Sequence, residues 1–591
     1  MPPAGYFSNV NPDLLKFIPP DVKTVLEIGC GEGALCEAYR RVNPGVEWLG
    51  IELSDKASKV AESKGIKILG DDCECWSWKG GCTETEPADC LVLGDVLEHL
   101  RDPWKTLEVF TTYWLKPGAQ VLACIPNVQH WTVIRDLLNG KWEYTDSGLL
   151  DRTHLRFFTL DSIRKMFSEA GLQVFEIVGR DLFNEGFASW SANLGRENTK
   201  ELRAYQYVVR AIKPIKEMTI EDCEAGQEKR RHMLAIRGVF GPKPIPKLHI
   251  HAVTAEDCCA RPRIHEPFAM LSTIPGVRCS TADRMDGPSV NQREDERLVW
   301  IQQRHRRIDL DDQDTLLGSG KLIIAEVDDM PEAIGMDPMA LKAVHAVQCS
   351  TEALAEVCRK YNPNVMVFEN QIAELEPLRT REPNNVVGLF FGAQNRETDW
   401  APIMPALNRV LADHPGVFVH VIHDRKFYEA INAGAKQFHP FSEYDRYREL
   451  LGWCDIALLP LEDTPFNRCK SDIKFLECAA EGVAVLAGDT AYHDAFLDAI
   501  PLMCVSAIYR SADDFGSKLR RLIELPEARL SQSHATYAYV RDNRLLSQHY
   551  RKRYEWYQSL LSSKPTLDRQ LLERVPELRS TSAVEPLQPA L

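Results

Sequence analysis

A glycine-rich turn after a short apolar run constrains the fold of this 591-residue chain more than any other feature. Residues 25–28 (Val-Leu-Glu-Ile) predict a buried strand, and Gly29, Gly31 and Gly33 predict a sharp turn directly after it. The residues from Ala34 onward predict a helix. Glycines in such a turn let the backbone approach a ligand closely, because no Cβ is in the way. The sequence therefore predicts a strand–turn–helix unit that binds a ligand.

An acidic residue stands at the end of the next predicted strand. Residues 48–51 form an apolar run that predicts this strand, and Glu52 follows it directly. A carboxylate in this position can accept hydrogen bonds from both hydroxyls of a ribose. With its G-x-G-x-G spacing and with Glu27 before the glycines, the stretch resembles the class I S-adenosylmethionine-dependent methyltransferases. An ordinary tight turn is the alternative interpretation.

Two further stretches carry the same resemblance. Residues 66–69 predict a third strand, and Asp71 and Asp72 follow its end. In the methyltransferase family, an acidic residue at this position accepts a hydrogen bond from the exocyclic amine of adenine. The alternative interpretation is a solvated acidic residue in a loop. Residues 89–100 predict a fourth strand and resemble the family's D-V-L-E-H-L motif. The resemblance implies these cofactor-binding residues: Glu27, Gly29, Gly31, Gly33, Glu52, Asp71, Asp72 and Asp95. Repeated strand–helix units over residues 1–212 predict a Rossmann-like α/β domain with a parallel sheet.

Histidines are the candidate catalytic residues of this domain. Residues 149–159 resemble a segment of methyltransferases that act on the hydroxyls of sugars or small molecules. Methyl transfer is a displacement for which the protein mainly supplies orientation, and no metal is expected. A hydroxyl acceptor must also lose a proton, which suits a histidine base. We expect His154 to be this base, with His99 as second candidate and Asp151 as a partner; a structural role for either histidine stays open.

A second series of strands begins after a linker. Residues 213–246 predict a charged helical connector that ends in alternating prolines, which form a semi-rigid spacer. Residues 247–380 and 381–563 resemble the acceptor and donor lobes of group 1 glycosyltransferases. This resemblance implies the GT-B fold, which consists of two Rossmann-like lobes. Residues 564–591 predict a flexible tail.

The stretch 467–483 is the most specific part of this second resemblance. In the family a Lys-Ser pair opens a helix that receives a nucleotide diphosphate, and the helix dipole and the lysine charge both favour this anion. The implied nucleotide-sugar-binding residues are Arg396, Lys470, Ser471, Lys474 and Glu477. A solvated stripe on a helix is the alternative. Cys469 stands where the family has a glutamate, so a degenerate transferase stays open.

Composition limits the partners and the compartment. The chain has 70 Lys and Arg against 85 Asp and Glu, a net charge of −15, which argues against nucleic acid as the main partner. No apolar run approaches the roughly 18 residues that a membrane span requires. We therefore expect a cytoplasmic protein, with peripheral association at a membrane surface as an open alternative. Cysteines cluster at positions 73, 75, 82 and 90, and free thiols are favoured over a zinc site there.

The two resemblances together predict a bifunctional enzyme. It would methylate a hydroxyl, with a sugar as the expected acceptor, and transfer a glycosyl group from a UDP- or GDP-sugar to a glycan or glycoconjugate. Surface-polysaccharide assembly is the expected setting. Two alternatives remain: an active O-methyltransferase whose GT-B half only binds a glycan or acts as a scaffold, and a small-molecule or lipid methyltransferase fused to an interaction module.

Overall fold

A computed structural model describes most of the chain as two compact units. The described residues are 6–75, 86–192, 200–215, 245, 247–254, 259–283, 296–303, 307–378, 386–500 and 504–578. The first unit comprises Met1–Pro246 with Ser272–Gly276, and the second comprises Lys247–Leu271 with Val277–Leu591. Almost all of the predicted connector, residues 213–246, lies outside the described residues.

The first unit is built on one seven-stranded sheet. Its strands are β1 (Thr24–Ile28), β2 (Glu47–Ile51), β3 (Lys67–Gly70), β4 (Ala88–Gly94), β5 (Leu115–Pro126), β6 (Gln173–Arg180) and β7 (Gln206–Ile212). They lie in the order β3-β2-β1-β4-β5-β7-β6, and β7 is antiparallel to both of its neighbours. The strand order reverses between β1 and β4, and ligands of open α/β sheets bind at such a reversal.

Short helices connect these strands. The helices of the first unit are Pro12–Leu15, Ala34–Tyr39, Asp55–Ser63, Pro103–Tyr113, Trp131–Leu138, Leu160–Glu169, Phe187–Ser191 and Lys200–Arg203, with 3-10 turns at Tyr6–Ser8 and Leu97–His99. Strand β5 begins at Leu115, directly after the helix Pro103–Tyr113 and Trp114. Leu115 and Gln120 both pair with β4, so the residues between them form an irregularity within the strand.

The second unit contains two parallel six-stranded sheets. The first has the order β13-β12-β11-β10-β8-β9, with β8 (Leu248–Val253), β9 (Val277–Ala282), β10 (Arg297–Gln303), β11 (Leu322–Val327), β12 (Ala346–Cys349) and β13 (Val365–Val367). The second has the order β16-β15-β14-β17-β18-β19, with β14 (Val387–Gly392), β15 (Val417–Ile422), β16 (Ala435–His439), β17 (Ile456–Leu459), β18 (Ala484–Gly488) and β19 (Ile508–Tyr509).

The helices of the second unit cover both sheets. They are Glu266–Leu271, Leu310–Gly318, Met339–Lys342, Glu352–Arg359, Glu397–Trp400, Met404–Asp413, Arg425–Ala430, Tyr444–Gly452, Pro465–Arg468, Ile473–Ala480, His493–Ala499, Cys504–Ala507, Ala512–Glu524, Pro526–Asn543, Tyr550–Ser562 and Lys564–Arg574, with a π-helix at Arg261–His265 and 3-10 turns at Ala401–Ile403 and Leu546–Gln548. Across the described part of the chain, we find no helix of the length and apolarity that a membrane crossing requires. Cys73 and Cys90 carry free thiols, and Cys82 lies outside the described residues.

The flexible tail expected from residue 564 is wrong for its first part. Lys564–Arg574 is a helix whose Leu567 and Leu571 are buried. Residues four positions apart lie on one face of a helix, so these leucines pack together onto the unit. The rest of the predicted tail, residues 579–591, lies outside the described residues.

The buried side chain of His345 forms a hydrogen bond to the helix Lys564–Arg574 and makes the stability of the second unit depend on pH. Nδ1 of His345 accepts a hydrogen bond from Ile323 N at 2.8 Å, so the ring proton is on Nε2, which donates to Asp568 Oδ1 at 2.9 Å. Burial lowers the pKa of His345, against the opposing hydrogen bond to Asp568. The stability from this neutral ring is present above the unfolded pKa of about 6.5 and is lost as the pH falls below it.

We therefore expect His345→Gln to weaken the pH dependence of unfolding. Between pH 7.5 and 5.5, a histidine that stays neutral in the folded state lowers the free energy of unfolding by about 1.4 kcal/mol. Urea denaturation of wild type and variant at both pH values measures this difference. An equally steep loss of stability in the variant would contradict the role of His345.

Candidate active sites

The glycine turn of the first unit has the conformation that only glycine adopts easily. Gly31 and Gly33 have φ values of +54° and +78°. A Cβ on Gly31 would lie 2.6 Å from the carbonyl oxygen of Phe7, and one on Gly33 would lie 2.3 Å from Ile66 Cδ1. The turn follows β1 at the strand-order reversal, so its backbone borders the crevice where a ligand would bind.

Glu52 joins this turn to the second strand. Its Oε2 accepts a hydrogen bond from Gly31 N at 2.8 Å, and its Oε1 accepts one from Ser54 N at 2.8 Å. The side chain is buried. Each carboxylate oxygen has a second lone pair, so the fixed carboxylate can still accept hydrogen bonds from the two hydroxyls of a ribose.

Glu27 lies beneath the turn, inside β1. Trp48 Nε1 donates a hydrogen bond to Glu27 Oε2 at 2.8 Å. Burial raises the pKa of Glu27 to about 8, against the opposing effect of this hydrogen bond. The Glu27 side chain is therefore mostly a neutral acid at neutral pH, and it can donate a hydrogen bond as well as accept one.

The other predicted cofactor acids follow β3 and β4. Asp95 comes directly after β4 with a φ of +54°, and its Oδ1 accepts a hydrogen bond from Gln206 Nε2 at 2.6 Å. Burial raises the pKa of Asp95. Asp71 is exposed, and Asp72 Oδ1 accepts a hydrogen bond from Glu74 N at 2.8 Å. Asp71 and Asp72 thus follow the carboxyl end of β3, and Asp95 follows that of β4, as the sequence predicts.

The two candidate catalytic histidines lie side by side. Their ring centroids are 4.8 Å apart in an edge-to-face arrangement. Nδ1 of His99 contacts the carbonyl oxygen of Thr153 at 3.2 Å, and Nδ1 of His154 contacts that of Leu149 at 3.1 Å. A carbonyl oxygen only accepts, so each Nδ1 carries a proton, and in the neutral form of either ring the lone pair is on Nε2. Burial lowers the pKa of His154, which keeps this lone pair available at neutral pH.

Asp151 is not the hydrogen-bond partner of His154. Its Oδ1 accepts hydrogen bonds from Thr153 N at 2.8 Å and Thr153 Oγ1 at 2.7 Å. The backbone carbonyl of Leu149, and not Asp151, contacts Nδ1 of His154, while the charge of Asp151 still acts on the histidine ring. Asp151 instead shapes the loop that carries the histidine.

Glu98 is a functional candidate that the sequence analysis missed. Its carboxylate is buried, and Oε2 has no hydrogen-bond partner among the described residues. Burial, followed by the nearby charge of Asp95, raises the pKa of Glu98 well above its usual range. Glu98, His99 and His154 offer ligand atoms that all lie within 4.8 Å of one another, so they could hold a metal ion. The adjacent Glu and His of the D-V-L-E-H-L motif were the available signal.

The predicted nucleotide-sugar residues of the second unit surround the start of one helix, Ile473–Ala480. Lys470 forms an ion pair with Asp329, which follows β11 in the other sheet. Ser471 Oγ accepts a hydrogen bond from Asn370 Nδ2 at 2.8 Å. The helix begins three residues after Lys470, so the Lys-Ser pair lies in the loop that precedes it.

Lys474 and Glu477 are not a solvated stripe. Lys474 Nζ donates a hydrogen bond to Glu477 Oε2 at 3.1 Å and lies 4.1 Å from the ring centroid of Tyr447. The Glu477 side chain is only 4% exposed. Burial of the carboxylate excludes the interpretation of a freely solvated helix face, because such a face leaves its charges in water.

Arg396 contacts residues near the beginning of this loop. Its Nη1 donates hydrogen bonds to Asn467 Oδ1 at 3.0 Å and to Asp399 Oδ2 at 3.2 Å. Asn467 Nδ2 in turn donates to Asp399 Oδ1 at 2.8 Å. Arg396 therefore joins the helix Glu397–Trp400 to the segment that leads to Lys470.

Comparison with known proteins identifies the first unit. Residues 6–177 match a family model described as a methyltransferase domain. The ubiquinone biosynthesis O-methyltransferase of Nitrosospira multiformis is 29% identical over 169 residues, which cover 27% of this chain and 65% of that protein. The corresponding enzyme of Cupriavidus pinatubonensis is 27% identical over 163 residues, which cover 27% of this chain and 63% of the relative. The chain thus spans a little less than two thirds of the length of these two relatives.

Solved structures of methyltransferases are also similar to about a third of the chain. A structure of S-adenosylmethionine-dependent methyltransferases from Methanosarcina mazei has 15% sequence identity and a TM-score of 0.26, and it covers 35% of this chain and 100% of that chain. One from Mesorhizobium loti has 15% identity and a TM-score of 0.25, with coverages of 34% and 96%. The assignment rests on the sequence matches. The N-terminal part of this chain is a class I S-adenosylmethionine-dependent methyltransferase domain.

Proposed function

We propose that this protein is a bifunctional transferase that methylates a hydroxyl and transfers a glycosyl group from a nucleotide-sugar. The methyl donor is S-adenosylmethionine, bound by the glycine turn and by Glu52, with Asp71, Asp72 and Asp95 around the adenosine. The observation that carries the methyl-transfer half is the proton placement on His99 and His154, which leaves two Nε2 lone pairs beside the crevice. The relatives' name, O-methyltransferase, supports an oxygen acceptor.

The methyl transfer proceeds in one displacement. Nε2 of His154 would accept the proton of the acceptor hydroxyl, and bound S-adenosylmethionine would supply the methyl group to the hydroxyl oxygen. The lowered pKa of His154 keeps the base unprotonated at neutral pH. The buried protein groups hold the reactants in line, which is the main contribution that this reaction needs.

A bound divalent cation is the second candidate for activating the hydroxyl. The observation that favours it is the unpartnered Oε2 of buried Glu98 beside the two histidines. Backbone carbonyls orient both imidazoles, as they do for metal-bound histidines in many proteins. A cation there would lower the pKa of a bound hydroxyl, and the acceptor would then need no separate base.

The glycosyl-transfer half uses the loop before the helix Ile473–Ala480. Lys470, Ser471 and the helix N-terminus would bind the diphosphate of a UDP- or GDP-sugar, and Glu477 the donor ribose. The acceptor is a glycan or glycoconjugate, and a sugar of this acceptor would carry the methylated hydroxyl. The missing acid at Cys469 supports the second candidate function, an O-methyltransferase whose second unit binds a glycan without transferring sugar.

Calorimetric titration tests both halves. We expect the protein to bind S-adenosylhomocysteine, and Glu52→Gln to weaken this binding by about 10- to 100-fold, because hydrogen bonds to a charged group contribute about 1.5–3 kcal/mol. Glu47→Gln, on the exposed start of the same strand, is the matched control. We expect UDP or GDP to bind as well. No binding of either nucleotide would contradict the glycosyltransferase half and leave the glycan-binding alternative.

A further inference from the structure

One amide side chain joins the proposed diphosphate loop to the first sheet of the second unit. Asn370 lies beyond β13 and is only 5% exposed. Its Oδ1 accepts a hydrogen bond from Arg263 Nη1 at 3.0 Å, and its Nδ2 donates one to Ser471 Oγ at 2.8 Å. Arg263 is held in turn by buried Glu326, at 2.7 Å from Nε to Oε1.

Arg263 fixes the direction of the two hydrogen bonds that Asn370 forms with Arg263 and with Ser471. A guanidinium group can only donate, so the amide oxygen of Asn370 must face Arg263 and the amide nitrogen must face Ser471. Ser471 Oγ is therefore an acceptor toward Asn370, and its own hydrogen points elsewhere. Within the described ranges, the Ser471 hydroxyl donates no hydrogen bond to the protein.

We propose that Asn370 is a positioning residue that directs the Ser471 hydroxyl hydrogen toward the diphosphate of the nucleotide-sugar. This inference rests on the proposed function of the loop. Lys470 precedes the hydroxyl and the N-terminus of the helix Ile473–Ala480 follows it, so the hydroxyl lies between two features that favour an anion. The phosphate oxygens accept the hydrogen that Asn370 leaves available.

Two substitutions of Asn370 separate this role from a structural one. In Asn370→Asp the carboxylate keeps the contact with Arg263 but can no longer donate, so it draws the Ser471 hydrogen inward. In Asn370→Ala the contact with Arg263 is lost, but the hydroxyl stays available to phosphate. We expect UDP and GDP binding to weaken about tenfold or more in Asn370→Asp and less than about threefold in Asn370→Ala. A structural role gives the opposite order.

A double-mutant cycle with Ser471→Ala completes the test. We expect Ser471→Ala to weaken binding about as much as Asn370→Asp, and the double variant to be no weaker than Ser471→Ala alone. An Asn370→Asp effect of the same size without the hydroxyl would show repulsion by charge alone and would overturn the inference. Calorimetry with UDP and GDP gives the affinities, and thermal unfolding of each variant verifies folding.

Two controls distinguish the proposed role of Asn370 from the proposed nucleotide-sugar site itself. Nucleotide binding that is lost in Lys470→Ala but unchanged in Asn370→Asp would overturn the role of Asn370 and leave the donor site standing. Failure of the wild-type protein to bind either nucleotide would overturn both.

Discussion

His154→Asn is expected to slow methyl transfer by about 10²- to 10⁴-fold, the usual contribution of a positioned general base. Asparagine carries an N–H close to the place of Nδ1, so it preserves the hydrogen bond to the Leu149 carbonyl while removing the Nε2 lone pair. Binding of S-adenosylhomocysteine should be unchanged, because the proposed mechanism uses His154 only to take the proton of the acceptor hydroxyl. Single-turnover methylation of an acceptor glycan and calorimetry measure the two effects separately.

The single-turnover methylation assay also distinguishes a mechanism in which His154 is the base from one in which a bound divalent cation activates the hydroxyl. If His154 acts as the base, the rate is insensitive to EDTA, and His99→Asn has a much smaller effect than His154→Asn. If a cation activates the hydroxyl, EDTA removes the activity, added Mn²⁺ or Zn²⁺ restores it, and Glu98→Gln and His99→Asn are as damaging as His154→Asn. An unchanged rate in both histidine variants would contradict both mechanisms.

The pH profile follows from the lowered pKa of His154. Burial depresses this pKa, so the neutral base is fully present above the ordinary histidine range of about 6.5. We expect a level rate above pH 7 and a decline only as the pH falls through the depressed pKa.

Lys470→Ala is expected to weaken UDP or GDP binding by about 10- to 100-fold or more, because in the proposed site the ammonium group would pair directly with the diphosphate charge. Lys470 also lies 4.4 Å from the ring centroid of Phe466. Lys470→Met keeps the apolar stem against this ring and removes only the charge, so it is the matched variant. Equal losses in both variants assign the effect to the charge; a loss only in Lys470→Ala would assign it to packing.

Asp329→Asn should tighten the binding of UDP or GDP, whereas Lys470→Ala weakens it. Lys470 pairs with Asp329, and the two side chains are only 21% and 15% exposed. A diphosphate must compete with this carboxylate for the ammonium group, so removal of its charge should tighten nucleotide binding by about three- to tenfold. Calorimetry on the same samples measures the change. Weaker binding in Asp329→Asn would show that Asp329 supports the site instead of competing for it.

Much of the fold could be predicted from local sequence. The apolar runs that became β1, β2, β4 and β8 are central strands buried on both faces, so most residues in them are apolar. Four strands were missed: β9 and β16 lie at the edge of their sheets, β19 is an edge strand of two residues, and β18 is a central strand. Edge strands need less apolar surface, and the sequences of β9 and β16, Val-Arg-Cys-Ser-Thr-Ala and Ala-Lys-Gln-Phe-His, carry no apolar run.

Some features of the candidate sites could also be predicted from local sequence, and others depend on the tertiary structure. The sequence by itself determined the glycine turn and Glu52, because a turn of positive φ and a carboxylate at a strand end are local features. Only the tertiary structure decided that Glu98 meets His154 and that Asn370 meets Ser471. These partners are distant along the chain, and their meeting depends on sheet topology and buried hydrogen bonding, which local periodicity does not encode.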